Sequence, residues 1–130
     1  MSRQKRLLSL GNYGCYLLCL LRICEMETKG QVSAEEAFEV ARASGWMDED
    51  CYVKEPAKIL GRFAGGTWDV TKQEPGYKSD SVQYVIQRWE WKNTGGIQSH
   101  FTMPDWDPMG DSLTVRNGRI VSFRMARRTS

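Results

Sequence analysis

Gly14-Cys15-Tyr16-Leu17-Leu18-Cys19-Leu20-Leu21-Arg22-Ile23-Cys24-Glu25-Met26 is the stretch on which the fold turns. Only Arg22 and Glu25 in it are charged, so in any helix it forms the apolar residues run round the whole circumference. A helix apolar on all sides belongs inside a domain, with other elements packed around it. Gly14 just before it and Gly30 just after it are its expected end punctuation.

Downstream of this helix the pattern stays helical as far as residue 63. Ser33 can cap a first turn with its hydroxyl while Glu36, three residues on, closes a capping box. The helix so started runs to about Ser44 and stops at Gly45, with Ala37, Phe38 and Ala41 as its apolar stripe and Glu35, Glu39 and Arg42 as its wet face. After the acidic turn Asp48-Glu49-Asp50, Glu55 to Phe63 reads as a short third helix beginning at Pro56, since proline suits a first helical turn.

From Gly65 onward the residues favour strands. Thr67 to Thr71 is a short strand, and Val82 to Trp91 alternates with Val82, Tyr84 and Ile86 on one face and Gln83 and Gln87 on the other. Asn93-Thr94-Gly95-Gly96 is a turn. Ile97 to Met103 and the segment from Trp106 onward are expected as a hairpin, and Leu113 to Arg116 with Arg119 to Arg124 as another, closed by Asn117-Gly118. Helices first and an antiparallel sheet afterwards make an α+β domain.

Length and composition agree with that reading. The 130 residues suit one domain spanning 1–130, with residues 1–8 and 126–130 expected as tails. The hydrophobic share of 41% and charged share of 26% are those of an ordinary globular protein. A net charge of +2, from 18 basic and 16 acidic side chains, carries no general footprint for nucleic acid or a membrane surface. The basic residues near the two ends, Arg3, Lys5, Arg6 and Arg124, Arg127, Arg128, read as solubilising. Leu7 to Leu21 follows a basic start but is broken by Gly11, Asn12 and Gly14 and ended by Arg22, a poor signal peptide and too short to span a bilayer. Cys15, Cys19, Cys24 and Cys51 lack both the paired spacing of a zinc site and the density of a disulfide scaffold, and there is one histidine. Reduced thiols in a cytoplasm, with no metal and no cofactor, are the expectation.

One cysteine stands apart. A thiol attacks a carbonyl as its thiolate, and the partial positive charge at a helix N-terminus is one device that lowers a thiol's pKa. Cys15 sits at that end, whereas Cys19 and Cys24 lie further along and read as small core residues. Cys51 falls in a loop without a recognisable activator. A base is also needed, and His100 is the single candidate. If the hairpin after Ile97 is symmetric about the Met103-Pro104 bond, Asp107 lies directly across from His100 with its side chain on the same face. An acid there holds the imidazole in its useful tautomer, the third role of a nucleophilic triad. Taken singly each residue has an ordinary structural reading; the order cysteine on helix, histidine on strand, aspartate on the next strand is what the chemistry needs.

Tyr13-Gly14-Cys15-Tyr16-Leu17-Leu18, Ser99-His100-Phe101 and Trp106-Asp107-Pro108 followed by Asp111-Ser112-Leu113-Thr114-Val115 resemble a family of uncharacterised papain-like proteins, similar to the bacteriocin-processing (C39-type) cysteine peptidases. The likeness runs from about Tyr13 to Arg124. It implies a helical part carrying the nucleophile Cys15, an antiparallel sheet carrying the base His100 and the orienter Asp107, and a cleft between them that accepts a peptide or protein substrate. Papain-like peptidases place a glutamine about six residues before the cysteine to complete the oxyanion hole. That position is Ser9 here, and Asn12 lies closer, so these two are the candidate donors beside the backbone N–H of Cys15.

The expected activity is hydrolysis of a peptide, isopeptide or related amide bond through an acyl-enzyme at Cys15. Two other uses fit the same residues: an acyl transferase or deamidase, and a papain-like fold kept as a binding module, with Tyr84, Trp89, Trp91 and Trp106 as its partner surface.

Overall fold

The structure, a computed structural model, describes residues 14–48, 52–74, 84–94, 96–110 and 113–130. The elements within them are α1 (Cys15–Thr28), α2 (Ala34–Ala43), α3 (Pro56–Ala64), β1 (Trp68–Gln73), β2 (Tyr84–Asn93), β3 (Gly96–Thr102), α4 (Leu113–Asn117) and β4 (Arg119–Arg128). The four strands form one antiparallel sheet in the order β1-β4-β2-β3. The molecule is therefore α+β, with helices leading and sheet following.

The central helix is buried as its composition requires. Leu17, Cys19, Leu20, Ile23 and Cys24 are inaccessible to solvent, and they join Phe38 and Ala41 of α2, Ile59 and Leu60 of α3 and Ile86 and Ala126 of the sheet in one core. The left-handed residue ending α1 is Lys29, at φ 57°, one position before the expected Gly30. Ser33 caps α2 by accepting the Glu36 N–H at 3.2 Å, and α3 begins at Pro56. No helix among the described residues is long and apolar enough to cross a membrane.

The sheet departs from the expected hairpins in two places. Residues from Leu113 to Asn117 are a short helix, packed against β2 and β3, and Asn117-Gly118 joins that helix to β4. The local hairpin signal loses because β4 inserts between β1 and β2. β4 pairs with β2 from Arg119 to Ala126 and with β1 from Phe123 to Arg128, so its ladder partners come from distant segments and not from the residues just before it. The second departure is the chain end. Residues 126–128, expected within a tail, belong to β4, and Ala126 is fully buried. The Thr129 N–H then donates to the Thr67 carbonyl at 2.8 Å. Gly66, at φ +79°, makes room for that end: a Cβ there would stand 2.6 Å from the Ser130 carbonyl oxygen. The expected tail at 1–8, and Val82 of the alternating strand, lie outside the described residues.

Candidate active site

Cys15 is the first residue of α1, and β3 is an edge strand, so the start of the buried helix meets an otherwise unpaired strand edge. The meeting is fastened by aromatic contact. Tyr16 stacks on Phe101 with ring centroids 4.7 Å apart, and the Arg124 guanidinium lies 5.9 Å from the one ring and 5.5 Å from the other. The residues preceding these in each element, Cys15 and His100, are thereby brought together.

His100 Nδ1 lies 3.0 Å from Cys15 Sγ, and His100 Nε2 lies 2.6 Å from Asp107 Oδ1. A carboxylate only accepts, so Nε2 carries the ring hydrogen and Nδ1 turns its lone pair to the thiol. Cys15 is 7% exposed and His100 5%. The line from sulfur through imidazole to carboxylate is thus shielded from water along most of its length.

Asp107 reaches His100 by a different route from the symmetric hairpin. The turn centres on Pro104-Asp105, because Met103 and Trp106 exchange both backbone hydrogen bonds, at 2.8 and 3.1 Å, and the ladder closes after that single bridge. In a continued ladder of that register His100 would face Met109. Instead the chain curls, with the Gly110 N–H donating to the Asp107 carbonyl at 3.0 Å and the Met109 N–H donating to Asp107 Oδ1 at 2.9 Å. The second of these bonds aims the carboxylate oxygen that also accepts from His100. Proline at 104 explains the shift: its fixed φ suits the second position of a tight turn.

The strand bearing His100 is held by polar contacts invisible to a linear reading. The Trp89 indole N–H donates to Thr102 Oγ1 at 3.0 Å, and the Thr102 hydroxyl donates to Gln87 Oε1 at 3.1 Å. On the opposite face Arg88 donates to Ser99 Oγ and Glu90 Oε1, each at 3.0 Å. Except for Arg88 and Glu90, which are both on β2, these partners sit across the β2–β3 ladder, where Trp89 pairs with His100 and Gln87 with Thr102. The one signal available in sequence was the clustering of polar residues inside strands that otherwise read as half-buried.

The helix start does not deliver the lowered thiol pKa expected of it. Burial pushes the Cys15 thiol up; hydrogen bonds from the Phe101 and Cys15 backbone N–H groups pull it down, and the Asp107 charge raises it further, leaving a net rise above the ordinary 9.0. Burial also pushes up Cys19, and it raises Cys24 to about 12. All three are free thiols, but Cys15 alone among them has an imidazole at hydrogen-bonding distance. Cys51, and the expected oxyanion donors Ser9 and Asn12, lie outside the described residues.

The aromatic residues considered as a partner surface are half-buried, and Tyr84, Trp89 and Trp106 are anchored. The Tyr84 hydroxyl donates to Glu27 Oε2 at 2.8 Å, the Trp89 indole is bonded to Thr102, and Trp106 packs on the core beneath Arg22 at 5.7 Å; Trp91 is likewise half-buried. Among the described residues no group of three or more His, Cys, Asp or Glu is arranged to hold a metal ion.

Comparison with curated proteins finds no match, and neither does comparison with solved structures. A family model does match: it spans residues 2–128, nearly the whole chain and all three residues of the Cys15, His100, Asp107 line, and by that match the chain belongs to the protein family of unknown function DUF261.

Proposed function

We propose that this protein is a papain-like cysteine hydrolase of amide bonds, peptide or isopeptide, with Cys15 as nucleophile, His100 as general base and Asp107 as the group that orients it. The observation carrying this reading is the unbroken line of contacts, Sγ to Nδ1 at 3.0 Å and Nε2 to Oδ1 at 2.6 Å. The fold supports it in outline: a buried helix starting at the cysteine, packed on the edge of an antiparallel sheet whose edge strand holds the histidine. The resemblance of the Cys15, His100 and Asp107 segments to C39-type peptidases points the same way.

Burial keeps the resting thiol protonated, so the proton leaves sulfur as the attack occurs. The S–H proton passes to His100 Nδ1 while Sγ bonds to the substrate carbonyl carbon, and Asp107 stabilises the imidazolium. The tetrahedral oxyanion accepts hydrogen bonds from the Cys15 backbone N–H and from a second donor, for which Asn12 and Ser9 are the candidates. The imidazolium then protonates the amine nitrogen as the C–N bond breaks, leaving a thioester on Cys15. Water, deprotonated by His100, cleaves the thioester, releases the carboxylic acid and restores the thiol. Transfer of the acyl group to an amine instead of water is the same chemistry with another acceptor.

Iodoacetamide labelling near pH 7, followed for each cysteine by mass spectrometry, tests the reading. Cys15 is expected to label at least tenfold faster than the buried Cys19 and Cys24, and His100→Ala to remove most of that difference. Equally slow labelling of all three, indifferent to His100, would overturn it. That outcome would favour the binding module, which the burial of the Cys15 thiol also accommodates.

A further inference from the structure

A pocket of about 350 Å³ opens between α1 and the turn after β3. Arg22 and Met26 of α1, Tyr84 of β2, and Met103, Asp105 and Trp106 of the turn line it. The guanidinium of Arg22 lies over the Trp106 ring, and the bond from Tyr84 to Glu27 holds the tyrosine in the wall. Arg22, Trp106 and Tyr84 thus give the pocket three well-held walls.

Two links tie it to the Cys15 site. Trp106 directly precedes Asp107, and the Met103 to Trp106 bridge is the base of the turn that brings Asp107 to His100. Arg22 and Met26 follow Cys15 by seven and eleven residues on the same helix. At 1.5 Å rise and 100° per residue they fall within about 20° of the Cys15 direction, roughly 10 and 16 Å along the axis. An extended substrate advances about 3.4 Å per residue, so a side chain some three residues from the attacked carbonyl reaches the pocket mouth.

Resting on the reading of Cys15 as nucleophile, we propose that this pocket is the specificity subsite and takes one large apolar side chain of the substrate. Its volume lies at the small end of ligand pockets, roughly 300–1,000 Å³, suited to a side chain more than to a cofactor. Its two charged residues, Arg22 and Asp105, are of opposite sign, so a charge on the ligand meets attraction and repulsion together. What remains to discriminate is the apolar surface of Met26, Met103 and Trp106. Burying a leucine or phenylalanine side chain there selects it on the order of ten- to a hundredfold over a polar one.

The test separates binding from turnover by using the full chain with Cys15→Ala and methyl-labelled methionine. Blocked glycine-alanine pentapeptides carrying a single Leu, Phe, Asp or Lys are titrated against it. Leu and Phe peptides are expected to shift the Met26 and Met103 methyl signals but not that of Met47 in the core, and to bind at least tenfold tighter than the Asp and Lys peptides. Met26→Trp should abolish those shifts; Met26 is 38% exposed, so filling the pocket from there spares the core, and an unmoved Met47 signal confirms the fold. Equal binding of all four peptides, tightest binding of the Asp peptide, or no shift at Met103 would overturn the subsite. In the unsubstituted protein, a bound Leu peptide should slow iodoacetamide labelling of Cys15 at least threefold. Peptide binding without any His100-dependent labelling would sink the nucleophile and leave the pocket a binding site, whereas His100-dependent labelling without selectivity would sink the pocket alone.

Discussion

Two faces of one helix are held by opposite means. Leu17, Leu20 and Ile23 of α1 share one core with Phe38 of α2 and Ile59 and Leu60 of α3, side chains that carry no hydrogen-bonding group. Toward β3 the helix presents Cys15 and Tyr16 to His100 and Phe101, where distances of 3.0 and 2.6 Å join sulfur, imidazole and carboxylate in sequence. The apolar layer tolerates small shifts because dispersion is summed over many contacts, while the polar seam depends on a few directional ones. Stability is therefore expected to rest on the first region and the proposed chemistry on the second, and substitutions should separate them.

The largest effect is expected in the seam. Asp107→Asn should lower the rate of Cys15 acylation by an amide or ester substrate roughly 10³- to 10⁴-fold, since an amide no longer enforces the tautomer with Nε2–H. Its urea midpoint should stay near that of the parent; a collapse of the fold instead would merge the two regions. Phe38→Ala should show the reverse, with a loss of about 3–5 kcal/mol in urea unfolding and unchanged His100-dependent labelling of Cys15 in the folded fraction.

High pH should weaken the packing of α1 next. Cys24 titrates at about 12 when folded against an ordinary 9.0, and Tyr16 at about 12 against 10.0, both raised by burial. Between the ordinary and the raised values the unfolded chain has lost protons that the folded one keeps, so stability is full below pH 9 and falls as pH rises through the window from 9 to about 12. At pH 10 the Cys24 share of that fall is about 1.4 kcal/mol, and Cys24→Ala should flatten the pH slope measured by urea unfolding.

Smaller effects probe the border between the regions. Tyr16→Leu removes the stack on Phe101, worth about 0.5–1.5 kcal/mol beyond area. It should slow Cys15 labelling several-fold through loosened positioning of the Phe101 N–H, with a smaller change in stability than Phe38→Ala. Smallest of all, Ser33→Ala should cost about 1 kcal/mol through loss of the α2 cap and leave Cys15 labelling untouched. A slowed Cys15 in that variant would show that the distant end of the helical layer tunes the seam after all.

Elements governed by near neighbours were legible in the residues. The all-round apolar character of Leu17 to Ile23 announces a buried helix, Ser33 and Pro56 mark helix starts, and the pairing of Cys15 with the lone His100 follows from the needs of the chemistry. The partnership of His100 with Asp107 was also expected, though through a register that the chain does not adopt. Counting across a symmetric hairpin cannot foresee a turn centred on Pro104-Asp105 and a carboxylate aimed by the Met109 N–H.

Periodicity, caps and turn chemistry act over a few residues, and for that reason the helices, the class of the fold and the identity of the three aligned side chains could be read directly. The place of β4 between β1 and β2, the helix at Leu113–Asn117 and the raised pKa of Cys15 arise from contacts between segments far apart in the chain. Burial is a property of the folded surroundings. At Cys15 it outweighs the Phe101 and Cys15 N–H donors, because desolvating a thiolate costs more than those two bonds return.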